Sequence, residues 1–323
     1  MSSNDSSSLV SVVIETITCR YDAVTVGSMA DDLTGTLGAL ERQTYPWAQI
    51  ETIVVVDSAV AESASRELVR RFPFVRLASS TSVNYCAAKN AGAGAARGAV
   101  VALLDGDCEP HPEWLERLVA RFEPGVDVVA GRTRYQTGTR RARIFSATDF
   151  GHVAARQADD ASGFNINNVA LRRDVFSAHP LDQRVRRNGG CTLLYHQLRA
   201  AGKRVVYEPR ACVSHGDGDI RGLHFLRKHF GRGFDSVDVY LLDTDHVLRG
   251  SRLVQRFGAP ALVGITIRRI LLDWLFLARE RRHLGIRTLA IPGVGAVGAF
   301  LRLIEFAGMI TRAANPNHYP RTE

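Results

Sequence analysis

The most informative stretch of this sequence is Ala99-Val-Val-Ala-Leu-Leu104, which is followed directly by Asp105-Gly106-Asp107. Six apolar residues behind Gly98 predict a buried strand. Two carboxylates two positions apart at the end of a strand can converge on one divalent cation, and Mg²⁺ and Mn²⁺ favour such oxygen ligands. A solvated surface turn has the same composition, so the tripeptide identifies a metal site only if other parts of the chain support it.

Strand-like and helix-like segments alternate on both sides of this stretch. Strands are predicted at residues 9–14, 50–56, 75–78 and 126–130, and helices at residues 31–43, 62–71, 84–96 and 112–122. Short apolar strands separated by helices predict an α/β fold with a mostly parallel sheet that is covered on both faces. Ligands bind at the carboxyl ends of the strands in such sheets. Because Asp57 and Asp105 both stand at strand ends, we expect their side chains in one crevice.

Composition limits the class of protein. The chain has 323 residues, of which 46% are hydrophobic and 23% charged, as in ordinary globular proteins. Its five cysteines are dispersed without a Cys-x-x-Cys pair, so we expect neither a disulfide framework nor a zinc site and place the protein in a reducing cytoplasm. The net charge is +8, and residues 251–323 hold eleven arginines against four acidic residues. A basic patch at one end of the chain is not typical of a general nucleic-acid-binding protein.

Both ends of the chain differ from its middle. Residues 1–8 are polar and Ser-rich, lack the apolar core of a signal peptide and predict a disordered tail. Residues 243–323 predict a basic, apolar, helical extension, whose apolar runs at 257–267 and 288–301 are shorter than the about 18 residues of a spanning helix. Residues 251–310 therefore predict helices that lie on the inner face of a membrane, or helices that pack on the rest of the protein or on a second copy in a homodimer. A helix that spans the membrane is the least favoured alternative.

The chain resembles glycosyltransferase family 2 in four motifs, which occur in the family's order and spacing: Val54-Val-Val-Asp57, Ala88-Lys-Asn-Ala-Gly92, Leu103-Leu-Asp-Gly-Asp107 and Tyr207-Glu-Pro-Arg-Ala-Cys-Val-Ser-His215. The resemblance implies a GT-A fold, a single Rossmann-like nucleotide-binding α/β domain, over residues 9–242. It also implies an enzyme that moves a sugar, with inversion, from a nucleotide-diphosphate donor to a saccharide, lipid-linked or small-molecule acceptor. We expect a UDP-sugar as the donor and Mn²⁺ or Mg²⁺ as the cofactor.

The resemblance further implies roles for individual residues. The implied metal ligands are Asp105, Asp107 and His215. The residues implied at the donor nucleotide are Thr16, Asp57, Lys89, Asn90 and Asp105. Those implied on the acceptor side are Gly163, Asn165 and Asn168. These residue types suit the chemistry, because a divalent cation can neutralise the charge that develops on a diphosphate leaving group.

One part of the family pattern is missing. Inverting members usually carry a Glu-Asp pair ahead of a helix, and one of these acids removes the proton of the acceptor hydroxyl. The matching stretch here is Asn188-Gly-Gly-Cys-Thr-Leu-Leu-Tyr-His196, and no carboxylate occurs between Asp182 and Glu208. The loss matters, because a positioned base typically contributes about 10²–10⁴-fold to a rate.

Three explanations stay open. His196 shares a helical face with Thr192, and an imidazole is a competent base at neutral pH. Alternatively, the acceptor arrives already ionised, as a polyprenyl phosphate would, and needs no base. In the third case transfer is lost, and the chain is a non-catalytic nucleotide-sugar-binding protein of the same fold.

Overall fold

The computed structural model describes residues 9–16, 28–58, 62–81, 84–153, 160–281 and 286–315. The predicted disordered tail and most of the loop after Thr16 lie outside this range. The strands are β1 Val10–Glu15, β2 Ile50–Asp57, β3 Val75–Ser80, β4 Val100–Asp105, β5 Cys108–Pro110, β6 Val128–Tyr135, β7 Asn168–Arg172 and β8 Val205–His215. They form one sheet in the order β3-β2-β1-β4-β7-β6-β8-β5.

The sheet is mixed. β1 pairs in parallel with β2 and β4, and β2 pairs in parallel with β3. β7 is antiparallel to β4 and β6, and β5 is antiparallel to β8. The predicted α/β class is confirmed, and its parallel part consists of the first four strands of the sheet order. In the register, Glu15 lies opposite both Val55 and Asp105, so the strand ends that carry Asp57 and Asp105 share one edge of the sheet.

Twelve α-helices occur among the described residues. They are α1 Ser28–Asp32, α2 Thr34–Glu41, α3 Glu62–Arg71, α4 Tyr85–Ala95, α5 Trp114–Val119, α6 Arg140–Phe150, α7 Arg173–Ala178, α8 Gly190–Ala200, α9 His224–Leu242, α10 Ser251–Phe257, α11 Ala259–Glu280 and α12 Ile291–Ala314. The single helix predicted at 31–43 is in fact two, α1 and α2, which are separated at Leu33. The hydroxyl of Thr34 donates to the carbonyl of Ala30 at 2.7 Å, a side-chain bond that competes with regular helical hydrogen bonds.

The chain divides into two compact units. Unit 1 comprises Met1–Thr133, Val153–Gln183 and Gln197–Gly216, and unit 2 comprises Arg134–His152, Arg184–His196 and Asp217–Glu323. Unit 2 therefore includes α6, the first part of α8 and α9 in addition to the predicted extension. The core of unit 1 lies against β1, β2 and β4, where Leu37, Leu68 and Trp114 are completely buried.

Unit 2 is helical, and in it α12 packs along α9 and α11. The backbones of α9 and α12 approach closely at two glycines, since a Cβ on Gly233 or Gly308 would overlap main-chain atoms of the other helix. Residues Thr288–Ala314, which are α12 and the turn before it, form one helical segment that is long and apolar enough to cross a membrane, the one such segment in the described ranges. Its length and composition alone do not distinguish a spanning helix from a core helix.

Candidate metal centre and its surroundings

Four potential ligands converge at the end of β4. One ligand atom each from Asp105, Asp107, Cys108 and His215 lies within 4.8 Å of the others. The Nε2 of His215 is 3.7 Å from Oδ2 of Asp107. Residues so distant in sequence meet because β5 begins directly after Asp107 and pairs with β8, which places Cys108 opposite His215.

The Asp105-Gly106-Asp107 turn is fixed by the surrounding backbone. The amide of Gly106 donates to the carbonyl of Glu15 at 3.1 Å, and the hydroxyl of Thr36 donates to the carbonyl of Gly106 at 2.7 Å. The amide of Gly216 donates to the carbonyl of Asp107 at 2.9 Å. A turn held from three sides is preorganised, unlike a mobile surface turn of the same composition.

Asp105 is buried and oriented by two side chains of α4. Its Oδ1 accepts hydrogen bonds from Nζ of Lys89 at 2.6 Å and from the hydroxyl of Tyr85 at 2.8 Å. Since both bonds use Oδ1, Oδ2 is the atom that could coordinate a cation. Lys89 is completely buried and also donates to the carbonyl of Leu104. The ammonium group therefore holds Asp105 in place, and a contact of Lys89 with the nucleotide stays a prediction.

His215 is oriented for coordination. Its Nδ1 lies 2.8 Å from the carbonyl oxygen of Gly216, which can only accept a hydrogen bond. A neutral imidazole must therefore carry its proton on Nδ1, which leaves the lone pair of Nε2 on the side of Asp107.

Burial, together with the charges of Asp107 and Asp105, raises the pKa of the Cys108 thiol well above its usual value, so that the sulfur stays protonated. Two carboxylates and one imidazole are a ligand set that Mn²⁺ accepts well, whereas Mg²⁺ prefers oxygen alone.

The other predicted donor residues occupy structural positions at the same sheet edge. Thr16 is buried and donates its hydroxyl to the carbonyl of Val55 at 2.8 Å. The amide group of Asn90 is bonded in both directions to the backbone of Leu181, at 2.8 and 3.0 Å. These two side chains hold backbone segments together, and their contact with a nucleotide stays a prediction. Asp57 is half-buried at the end of β2, as expected.

The predicted acceptor-side residues are all buried, but the two asparagines differ in whether their side-chain amides are hydrogen-bonded. Asn168 is completely buried, where its Oδ1 accepts from Nε1 of Trp114 at 2.8 Å and its Nδ2 donates to the carbonyl of Ala211 at 3.1 Å. These bonds give Asn168 a structural role in unit 1, and they do not test its predicted place on the acceptor side. Asn165 is also buried, but its Nδ2 has no hydrogen-bond partner among the described residues. Gly163 is buried in the same segment.

The segment that lacks the expected acid pair begins α8. His196 is half-buried in this helix, and its ring meets that of Tyr195 edge-on, with 5.1 Å between centroids. Ahead of α8, Oδ2 of Asp235 accepts from the backbone amide of Asn188 at 3.0 Å and from its Nδ2 at 2.7 Å. The chain thus brings a buried carboxylate to this segment from α9. Sequence reasoning missed Asp235 because it lies 47 residues further on, without a local signal.

Known proteins resemble this chain in sequence and in fold. The family model described as Glycosyl transferase family 2 matches residues 23–179. Glycosyltransferase AglE of Haloferax volcanii is 33% identical over 238 residues, which are 68% of this chain and 73% of AglE. The glucosyl-dolichyl phosphate glucuronosyltransferase of that organism is 28% identical over 152 residues, 41% of this chain and 47% of that protein. The solved structure of the mannosyltransferase PcManGT from Pyrobaculum calidifontis, in complex with GDP-Man and Mn²⁺, has a TM-score of 0.60 at 16% identity and covers 96% of this chain and 88% of its own.

Proposed function

This chain belongs to glycosyltransferase family 2. We propose that it is a metal-dependent transferase, with the metal held by its acidic cluster, and that transfer inverts the configuration at the anomeric carbon of the sugar. Transferase activity and a nucleotide-sugar donor follow from the family and favour an enzyme over a non-catalytic binding protein. What we propose beyond the family is that the enzyme depends on a metal, that its donor carries a particular nucleotide base and that transfer inverts the anomeric carbon.

The observation that carries the metal dependence is the convergence of Asp105, Asp107 and His215 on one point. A divalent cation bound there would neutralise the charge of the diphosphate leaving group without a proton transfer. Asp107 is the most accessible ligand, with 46% of its side chain exposed, while Lys89 holds Asp105 in place. We propose Mn²⁺ over Mg²⁺ because of the imidazole, and the Mn²⁺ in the PcManGT complex supports this choice.

The donor is proposed to lie along the edge of the sheet between Asp57 and the cluster. Asp57 would accept hydrogen bonds from the nucleotide base, and Thr16 and Asn90 would keep the surrounding segments in position. We expect a UDP-sugar. Because PcManGT was solved with GDP-Man, a comparison of UDP with GDP is the measurement that decides the base.

The acceptor can be activated in two ways. His196 is our proposed base, since imidazole is the side-chain type of α8 that is a competent base at neutral pH, whereas burial raises the pKa of the Cys191 thiol. Alternatively, an acceptor phosphate attacks without a base. The name of the glucosyl-dolichyl phosphate glucuronosyltransferase specifies a lipid-linked acceptor whose phosphate already carries a glucose, so it supports a lipid-linked acceptor for this chain but does not favour the second route.

Calorimetric titration tests the metal site directly. UDP should bind the full chain more tightly than GDP and only in the presence of Mn²⁺, and Asp107→Ala should abolish this binding. Asp174→Ala removes the same charge from an exposed position on α7 and should change nothing. Metal-independent binding that is unchanged in Asp107→Ala would overturn the metal assignment.

Turnover distinguishes the two routes to an activated acceptor. Nucleotide release that rises with a neutral saccharide and falls about 10²-fold or more in His196→Ala supports the imidazole as base. Release that rises only with a polyprenyl phosphate, and is equal in wild type and His196→Ala, supports the ionised acceptor. In either case the anomeric configuration of the product reports inversion.

We also propose that residues 251–310 contact the cytoplasmic face of a membrane. Support comes from the excess of arginine in this region and from its exposed apolar side chains, which include Ile267, Leu271 and Leu275.

A further inference from the structure

Helices α10 and α11 carry an exposed apolar stripe. Its members are spaced by four residues, apart from the step across the junction of the two helices: Leu253, Phe257, Val263, Ile267, Leu271 and Leu275. Residues with this spacing share one face of a helix. Leu271 and Leu275 are 60% and 67% exposed, whereas Leu262 and Leu277 on the same helix are buried. The stripe is therefore a surface and not part of the core of unit 2.

The chain around the stripe is strongly basic. Arg249, Arg252, Arg256 and Arg268 are exposed, and Arg249 and Arg268 lie beside Leu253 and Phe257. No acidic residue occurs between Asp245 and Asp273 in the sequence. In the described part of the chain, Arg249, Arg252 and Arg268 have no ion-pair partner. Apolar side chains flanked by unpaired arginines match the boundary between acyl chains and anionic headgroups.

A groove runs between the two helices on this face. Its volume is about 560 Å³, and Leu253, Phe257, Pro260 and Ile265 contribute to an almost wholly apolar lining. Arg249 and Arg268 are the two charged residues that line it. Such a groove can take an acyl chain, with a phosphate group held by the two guanidinium groups.

We propose that this α10–α11 face binds the surface of an anionic phospholipid bilayer, with the stripe in the acyl boundary and the arginines at lipid phosphates. The inference rests on the proposed membrane contact, and it is independent of the sugar-transfer chemistry. It specifies an interfacial rather than a spanning mode of binding.

Two features favour this mode over the alternatives. α12 is apolar enough to span, but its Glu305 binds Nδ1 of His229 on α9 at 3.0 Å and Arg302 at 2.6 Å, and insertion would separate the first pair. A second copy is disfavoured because a two-fold contact places a patch against itself, so that unpaired arginines would oppose arginines.

Vesicle flotation of the full chain without nucleotide tests the proposal. The wild type should float with vesicles that contain about one-third phosphatidylglycerol and remain unbound with phosphatidylcholine alone, and salt should weaken the binding. Ile267→Ser/Leu271→Ser should lower the affinity at least about tenfold, and Arg252→Glu/Arg256→Glu about thirtyfold or more. Matched controls are Phe300→Ser/Leu303→Ser on α12 and Arg66→Glu/Arg173→Glu in unit 1, which should bind like wild type.

Three results would overturn the inference. The wild type could fail to bind anionic vesicles. Binding could be lost in the α12 control and kept in the α11 variant, which would assign the membrane contact to α12. The wild type could sediment as a dimer without lipid and become monomeric in Ile267→Ser/Leu271→Ser, which would make a second copy the occupant. Mn²⁺-dependent nucleotide binding, measured in parallel on every variant, reports the proposed function separately.

Discussion

Lys89 illustrates how a motif residue can act through its neighbour. Its ammonium group has no exposure to solvent and lies 2.6 Å from Oδ1 of Asp105. Removal of one partner of a buried ion pair leaves the other charge without compensation, at a cost of about 3–5 kcal/mol. We therefore predict that Lys89→Met lowers the free energy of unfolding by about 3 kcal/mol, as measured by chemical denaturation.

Mn²⁺ should partly reverse this loss, because a cation at the cluster replaces the missing ammonium charge. The midpoint of unfolding should rise more with Mn²⁺ in Lys89→Met than in wild type. A lysine that only contacted the nucleotide would leave the stability of the metal-free protein unchanged, and that result would contradict the structural role.

The two asparagines at residues 165 and 168 provide a second test at this scale. Asn168→Ala leaves the indole N–H of Trp114 and the carbonyl of Ala211 without their partner, and each buried unsatisfied group costs about 1–3 kcal/mol. We predict a loss of about 2–4 kcal/mol in stability and an unchanged KM for the acceptor.

Asn165→Ala is the matched control for this substitution. Its Nδ2 has no hydrogen-bond partner in the described protein, so no bond within the protein is lost. Stability should change by less than in Asn168→Ala, and a rise in the acceptor KM would support its predicted place. A larger loss of stability in Asn165→Ala than in Asn168→Ala would contradict this assignment of roles.

At the scale of elements, local pattern predicts strand ends well and long-range register poorly. The apolar runs that precede Asp57 and Asp105 are short, and parallel strands place both ends at one edge. The meeting of Asp107 with His215 depends on the pairing of β5 with β8, which joins segments over 100 residues apart. A three-residue strand such as β5 has no periodicity of its own. Only the family resemblance connected these two residues in advance.

Two further contacts were not predicted from the sequence for the same reason. The carboxylate of Asp235 reaches Asn188 from a different helix, and Tyr85 reaches Asp105 from α4. A composition rule assigns polar residues to surfaces and turns, whereas here burial and a distant partner decide the role. Such contacts follow from packing, which a single sequence does not encode in any short window.

Two glycines on α9 test the close packing of α9 on α12. A Cβ at Gly233 would overlap the backbone of Glu305, whereas a Cβ at Gly231 would meet no atom within 4 Å. Gly→Ala in an open helical position stabilises by about 0.5–1 kcal/mol. We predict that Gly231→Ala raises the free energy of unfolding by that amount and that Gly233→Ala lowers it by about 1–3 kcal/mol, in equilibrium denaturation. Equal effects at both positions would show that the two backbones do not pack closely.

At the scale of the whole molecule, unit 2 is connected by a buried network of charges. Asp149 on α6 lies 3.0 Å from Lys228, 2.8 Å from Arg232 and 3.2 Å from His229, all on α9. His229 in turn contacts Glu305 of α12 at 3.0 Å. The apolar pattern of residues 243–323 predicted helices but gave no indication of these partners. An amphipathic stripe marks which face is buried and says nothing about the ion pairs that lie on it.

This network predicts how the stability of the protein depends on pH. Burial disfavours the charged form of Asp149, but Lys228 and Arg232 outweigh it and hold its pKa well below the usual range. Burial is likewise outweighed at Glu305 by Arg302 and His229, so that its pKa is also lowered. A carboxyl whose pKa is lower in the folded state stabilises the protein above its unfolded pKa of about 4, and this contribution is lost as the pH falls towards the folded value.

We predict that the free energy of unfolding is steady near neutral pH and falls steeply below about pH 4. Asp149→Asn removes one of the two carboxyls, so its dependence on pH between about 4 and 2 should be flatter than in wild type. The same variant should be about 3–5 kcal/mol less stable at pH 7, because Lys228 and Arg232 lose their partner. Glu62→Gln, at a side chain that is 84% exposed, should match wild type at every pH. If Asp149→Asn kept the wild-type slope in acid, the network would not be the source of the acid sensitivity, and the exposed carboxylates of the surface would have to be.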